Sequence, residues 1–266
     1  MGGIFLINMY KHIGIIGAGN MGSAFYKSLE TIFPREILHI CDHNFEKIKK
    51  LNPINKYTTN VDEMIKNVDI VILAIKPQTF QKIKLNLNSK FVISIMAGIS
   101  IENLKQTGSN KIVRSMPNLP IQVGEGTVGW IANKSVTAEQ KIFVRQIFQT
   151  MGHEMELKDE NMINAITALS GTGPAYFFYL TEMLTKVGTA MGLSKDHATI
   201  LSQNTLIGAA KLLAEGNKTP EEWRKSVTSK GGTTAAAMAY FEDNNFIEVF
   251  AGGVKAAKHR SEELNN

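Results

Sequence analysis

The chain has 266 residues, 44% of them hydrophobic and 20% charged, with a formal net charge of +5; that is enough for one large domain or two smaller ones, each with its own core. Its lysines are scattered and form no block, so the mild positive balance describes a solvated basic surface and gives no support to a nucleic-acid partner. A single cysteine, Cys41, inside an apolar run excludes an internal disulfide framework and any metal-ligand spacing, and points to a reducing, cytoplasmic compartment.

Met1 to Tyr10 carries an apolar patch at Ile4 to Ile7 but no preceding basic residue and no small-residue cleavage site, so it does not read as a signal peptide; Met9 is an alternative start. No run reaches the roughly 18 apolar residues of a membrane span, because the most apolar helix, around Pro174 to Met191, carries Glu182 and Lys186.

In chain order, His12 to Ile16 is a β-rich run leading into Gly17-Ala18-Gly19-Asn20-Met21-Gly22 and then a helical stretch, Ser23 to Ile32. Strand, glycine turn and helix are the context in which G-x-G-x-x-G means dinucleotide binding. Gly17 permits the turn, Gly19 lets the backbone approach a pyrophosphate, and Gly22 lets helix and strand pack closely. A second strand, Ile37 to Cys41, ends in Asp42, 20 residues beyond Gly22, where an acid hydrogen-bonds a ribose 2′-hydroxyl and repels a 2′-phosphate. Asp42 also reads as a cap for the next helix, Asn44 to Leu51; the two readings are compatible, since capping uses one oxygen. Lys47, Lys49 and Lys50 partly offset its charge.

Asn60 to Glu63 reads as a capping box for a short helix to Asn67, and Asp69 to Ile75 as a central strand buried on both faces. Lys76-Pro77-Gln78 ends that strand at the carboxyl edge of the sheet, which makes Lys76 a cofactor contact. The runs Phe91 to Ile95 and Lys111 to Ser115 end in the loops Met96-Ala97-Gly98 and Met116-Pro117-Asn118. Singly each loop is an ordinary β–α connection; three converging on one edge favour a site flanking a nicotinamide. After Gly124-Glu125-Gly126 come a strand at Thr127 to Ile131, a helix opened by the box Thr137 to Gln140, and a strand at His153 to Leu157 that closes the sheet. Strand patterns stop after Lys158, which divides the chain into residues 1–158 and 159–266.

The second region opens with a helix from Asn161 to about Leu169 that breaks at Ser170-Gly171-Thr172-Gly173-Pro174 and restarts with Thr172 or Gly173 as cap. Ala175 to Met191 is apolar on nearly all faces, either because it meets a second subunit or because it is central to its own bundle. Asp196 to Glu215 forms a helix closed by Gly216, and Thr219-Pro220-Glu221-Glu222 starts a short one. Ser229-Lys230-Gly231-Gly232-Thr233-Thr234 then feeds a helix, Thr234 to Asp243, followed by another from Phe246 to Leu264. Thr233 reads either as an ordinary N-cap or as part of an amide-lined end that attracts carboxylate or phosphate.

Taken together, these residues resemble the pyrroline-5-carboxylate reductase family over His12 to Leu264. The resemblance rests on residues 17–22, Ala74-Ile75-Lys76-Pro77, Ala97-Gly98, Arg114-Ser115-Met116-Pro117-Asn118, Gly124-Glu125-Gly126, Ser170-Gly171-Thr172-Gly173-Pro174-Ala175-Tyr176 and residues 229–234. Some of these runs are shared with β-hydroxyacid-type dehydrogenases; the last two, in this order, are specific. The resemblance implies an α/β fold, with an N-terminal Rossmann domain followed by an all-helical dimerisation domain, and assembly into homodimers that join further into decamers. The implied reaction is hydride transfer from NADPH or NADH to the C=N carbon of 1-pyrroline-5-carboxylate, giving L-proline.

Matched residue by residue, the resemblance places Gly17, Gly19, Asn20, Met21, Gly22, Ala74, Lys76, Pro77, Ala97, Gly98, Met116 and Asn118 at the cofactor, where the spacing after the glycine fingerprint also puts Asp42. Ser170, Gly171, Ser229, Gly231, Gly232, Thr233 and Thr234 fall at the substrate. The amides of residues 231–233 would take the carboxylate, and the Thr234 hydroxyl would orient the ring nitrogen and relay a proton as the catalytic group. His153 and His197 lie outside the matched motifs. Two departures stand out: Lys230 occupies a position where the family has proline, and Asp42-His43 replaces a neutral-basic pair, which implies weaker NADPH preference than is usual. A reductase of another cyclic imine or related small carboxylate, and a nucleotide-sensing module without turnover, are the alternatives.

Overall fold

The computed structural model describes residues 12–51 and 56–264; the amino-terminal patch and Met9 lie outside them. The chain divides into two compact units, residues 1–172 with 257–266, and residues 173–256. Strand patterns end at Lys158, but compactness runs on to Thr172, because Ile163 is buried in the first unit and the Ile166 side chain closes over Gly129.

The first unit is built on a sheet of eight strands among the described residues: β1 (Ile13–Ile16), β2 (Leu38–Cys41), β3 (Tyr57–Thr58), β4 (Ile70–Leu73), β5 (Phe91–Ser94), β6 (Lys111–Pro117), β7 (Gly126–Ala132) and β8 (Gly152–Glu156). Their order is β3-β2-β1-β4-β5-β6-β7-β8. Pairing is parallel except between β6 and β7, with Ile13 opposite both Leu38 and Ile70. The sheet reverses direction at β1, and ligands of open α/β sheets bind beyond the carboxyl ends of the strands at such a point. Every residue of β1, β2, β4 and β5 is buried, as continuous apolar runs in a doubly covered parallel sheet require.

Helices cover both faces. On one face α1 (Asn20–Leu29), α2 (Phe45–Lys49) and α6 (Ala138–Gln149) pack Phe25, Ile48 and Phe148 against Ile15 and Trp130. On the other, α3 (Val61–Lys66), α4 (Pro77–Phe80) and α5 (Ile101–Leu104) pack Met64, Phe80 and Leu104 against Val71 and Val92. Asn60 caps α3 through the amides of Asp62 and Glu63, but the expected box is half made: the Glu63 carboxylate accepts the Thr58 hydroxyl instead. The Thr137–Gln140 box is complete. Met116 and Pro117 belong to β6, not to the loop after it.

The expected helix break at 170–174 takes another form. Helix α7 (Met162–Ile166) runs into a π turn, Thr167–Gly171, in which the Thr167 carbonyl accepts both the amide and the hydroxyl of Thr172. Pro174 has no N–H to offer, and one wide turn accommodates the chain without a stop.

The second unit is helical: α8 (Gly173–Ala190), α9 (Lys195–Ala214), α10 (Pro220–Ser226), α11 (Thr233–Asp243) and α12 (Phe246–Glu263), the last returning to the first unit at Ala257. Helix α8 lies against α9 with Gly188 on Ala198. The box at Thr219–Glu222 opens α10 as its spacing predicts. No helix of the described residues is long and apolar enough to cross a membrane.

Candidate active site

The glycine turn leaves β1 at Gly17, whose φ of 108° and contact with the Ala74 carbonyl, 2.5 Å from an added Cβ, admit no side chain. Gly22 is tighter: an added Cβ would stand 1.9 Å from the Gly17 carbonyl oxygen. Gly19 is the opposite case, with nothing within 4 Å of an added Cβ. It is the N-cap of α1 and supplies no side-chain acceptor, so the first amides of the helix, at Asn20, Met21 and Gly22, open onto free space. This is a cradle shaped for a pyrophosphate.

Two bonds tie the turn to β2. The Gly17 amide donates to the Cys41 carbonyl at 2.7 Å, and the Ala18 amide donates to Asp42 Oδ2 at 2.8 Å. Asp42 is 7% exposed and its Oδ1 accepts the Asn44 amide at 2.9 Å. Asn44, not Asp42, caps α2, its side chain accepting the Glu46 amide. The Cys41 thiol beside the turn is pushed up to about 11 by burial, then by Asp42 and Glu63, and is no nucleophile at neutral pH. A cavity of about 160 Å³ opens beside Asp42 and His43, walled by Ile16, Val61, Ile75 and Ile83.

Of the other expected cofactor residues, Ala74 packs under the turn against Gly22, Lys76 is the exposed N-cap of α4, and Pro77 is its first residue. Ala97 is half-buried, while Gly98 lies under Leu264, whose Cβ would be 2.5 Å from an added Cβ. Met116, Asn118, Ser170 and Gly171 come together. The Asn118 side chain accepts the Thr127 amide at 2.8 Å and donates to the Ser170 hydroxyl at 3.3 Å, and the Met116 methyl covers Gly171. Behind them the Arg114 guanidinium donates to Glu160 at 2.6 Å, and the same carboxylate oxygen accepts the Ile101 amide. That ion pair fixes the entry to α7, and no local sequence signal points to it, because nothing in the chain connects residues 101, 114 and 160 before it folds.

In the second unit, the Gly232 amide donates to the Ser229 carbonyl at 3.0 Å and Gly231 has φ 73°. These are features of a type II turn with Lys230 at its second position, where proline is favoured. Gly232, and not Thr233, is the N-cap of α11, and it brings no side-chain acceptor. The first amides of this 11-residue helix are uncapped, with Thr233 exposed and Thr234 half-buried in its first turn. Among the described residues no cluster of metal-ligating side chains occurs.

The sheet order and the uncapped glycine turn define a Rossmann-type dinucleotide-binding fold. A model of the NADP oxidoreductase, coenzyme F420-dependent family matches residues 12–98, and the pyrroline-5-carboxylate reductase dimerisation model matches residues 160–264. The pyrroline-5-carboxylate reductase of Haemophilus influenzae is 35% identical over 96% of this chain and 98% of its own length. The structure of the Coxiella burnetii reductase superposes with a TM-score of 0.85 at 30% identity, covering 96% of this chain and 99% of that one. The Plasmodium falciparum enzyme, solved with NADP bound, gives 0.83 at 30% identity, covering 96% and 98%. The chain belongs to the pyrroline-5-carboxylate reductase family.

Proposed function

We infer that the protein reduces 1-pyrroline-5-carboxylate to L-proline, with a nicotinamide dinucleotide as the reductant. The observation that carries this is the pairing of an uncapped glycine turn on a Rossmann sheet with an uncapped Gly-Gly-Thr-Thr helix start in a chain of this family. The bound reduced nicotinamide supplies the hydride for the imine carbon. Residues 17–22 hold the pyrophosphate, and the cavity beside Asp42 and His43 takes the adenosine end. Ala97, Met116 and Asn118 flank the nicotinamide side, with Lys76 and Pro77 at the edge and Ala74 and Gly98 shaping the backbone around it.

For the substrate, the amides of Gly231, Gly232 and Thr233 take the carboxylate, and Ser229 closes their turn. Ser170 and Gly171 line the ring, with Asn118 orienting the Ser170 hydroxyl. Thr234 is the catalytic group, donating to the ring nitrogen and relaying a proton as the imine becomes an amine. The apolar helices of the second unit form a homodimer interface, and dimers assemble further into a decamer in the cytoplasm. The choice between NADPH and NADH turns on Asp42: an acid there disfavours a 2′-phosphate, yet this carboxylate is buried and accepts two backbone amides.

Following NADPH or NADH absorbance with and without pyrroline-5-carboxylate tests the reading; cofactor binding without imine-dependent oxidation would leave only a nucleotide-sensing module. Thr234→Ala is expected to lower kcat/KM for the imine by about 10²-fold with cofactor affinity unchanged. Unchanged turnover would return Thr234 to a structural role.

A further inference from the structure

The end of α12 and the turn after it, residues 257–264, belong to the same compact unit as the sheet. Ala257, Ser261 and Leu264 follow i, i+4, i+7 and form the less exposed face, whereas Lys258, His259 and Arg260 between them are exposed. The outer side chains pair along the helix, Lys258 with Glu262 at 2.9 Å and Arg260 with Glu263 at 2.6 Å. The Leu264 amide donates to the Arg260 carbonyl at 3.2 Å, so helical hydrogen bonding runs to that residue.

The inner face makes two contacts. Leu264 covers Gly98: a Cβ added there would stand 2.5 Å from the Leu264 Cβ and 2.8 Å from its carbonyl oxygen. Ser261, 4% exposed, donates its hydroxyl to Asn164 Oδ1 at 2.9 Å, and Asn164 belongs to α7, which runs on through the π turn to Ser170 and Gly171. One helical turn therefore touches both the loop read as flanking the nicotinamide and the helix leading to the residues read as lining the substrate ring.

That loop has firm ends and a free middle. At one end the Ser94 carbonyl accepts the Ser115 hydroxyl, and at the other the Ile101 amide donates to Glu160. Gly98 between them has φ 72°, a conformation that leaves the backbone free to turn unless something packs on it, and Leu264 is what packs there. Hydride transfer is sensitive to such freedom, since a misplacement of about 1 Å costs about 10²-fold in rate. Cofactor affinity has a separate source in the uncapped amides at the start of α1.

We propose that Ser261 and Leu264 are positioning residues for hydride transfer: the last turn of α12 braces the Ala97-Gly98 loop and α7 at a fixed spacing, so that the nicotinamide and the substrate ring meet at reacting distance. They act through Gly98 and Asn164. The proposal rests on the reading of the chain as a nicotinamide-dependent reductase and adds to it two residues outside the matched glycine, Ser-Gly and Gly-Gly-Thr-Thr motifs.

Two measurements on the full-length protein test it. In the absence of imine, titration with NADPH or NADH read by reduced-nicotinamide fluorescence gives the affinity, and the emission lifetime of the bound ring reports how firmly it is held. Leu264→Gly, which removes the Cβ over Gly98, should leave the dissociation constant within about two-fold and shorten that lifetime. With pyrroline-5-carboxylate, a single turnover of protein preloaded with reduced cofactor separates the hydride rate from the active fraction, which sets the amplitude. Leu264→Gly is expected to slow the rate about ten-fold and Ser261→Ala about three-fold, both at full amplitude, while Leu264→Met, which keeps the Cβ and the bulk, stays within about two-fold of wild type. A lost amplitude at unchanged rate would make the turn merely structural, and an unchanged lifetime or a loss confined to cofactor affinity would equally overturn the proposal. A wild type that binds the cofactor but oxidises none with the imine would defeat the reductase reading instead, and the lifetime comparison would still decide whether Leu264 holds the nicotinamide loop.

Discussion

The two units of this chain handle apolar side chains in opposite ways. In the first, Ile15, Ile72, Ile93 and Trp130 are all 0% exposed, and the sheet is covered on both faces. In the second, Phe177, Phe178 and Tyr179 of α8 are 55%, 58% and 60% exposed, and Ile247 and Val249 of α12 more so. The hydroxyls of Thr181, Thr185 and Thr189 bond back to carbonyls four residues earlier, so α8 leaves them no unmet donor to carry into an apolar contact. A sheet can complete its own core from its crossover helices, whereas an open set of apolar helices completes one with a second copy.

The largest effect should come from charging that face. Phe178→Asp would bury a carboxylate without a partner if α8 lies in a dimer, at a cost of several kcal/mol, and sedimentation should show monomer with little reductase activity. A variant that remains dimeric and active would remove α8 from the interface and weaken the contrast between the units.

In the first unit, the glycine turn separates packing from binding. Gly22→Ala forces a Cβ to within 1.9 Å of a backbone carbonyl and should cost about 3 kcal/mol or more, lowering Tm, whereas Gly19→Ala meets nothing and should leave Tm within a degree or two while cofactor affinity drops. Equal Tm losses in the two would mean the turn has no open side.

Stability should also depend on pH through His39, which is buried at 7% exposure beside His12, its Nε2 3.0 Å from His12 Nδ1. Burial, then His12 and Lys56, lowers its pKa to about 4. The folded pKa lies below the unfolded one, so the neutral form is favoured by folding; stability is full above the unfolded pKa of about 6.5 and falls as pH drops from there towards 4, by roughly 2–3 kcal/mol. Urea titrations of wild type and His39→Asn across that window should show the slope in the first and not in the second. The smallest expected effect is in the second unit: Lys230→Pro occupies the favoured turn position and should stabilise by about 0.4–1 kcal/mol, read as a small rise in Tm.

Most of the first unit was legible because its signals are local. Periodicity marks buried strands, a glycine turn must lie between strand and helix, and a capping box spans four residues. The half-made box at Asn60 and the π turn at 167–171 were not, because each depends on a competing partner: Thr58 for Glu63, and Pro174 for the helix before it. Local composition cannot say which acceptor a side chain will choose.

By itself, the sequence determined the class of fold, the family, the glycine turn and the Gly-Gly-Thr-Thr helix start, all of which are set by runs of neighbouring residues. Only the tertiary structure decided what Asp42 does. Residues 18 and 42 meet because β2 lies beside β1, and that adjacency turns an acid that reads as a repeller of phosphate into a buried brace for the glycine turn.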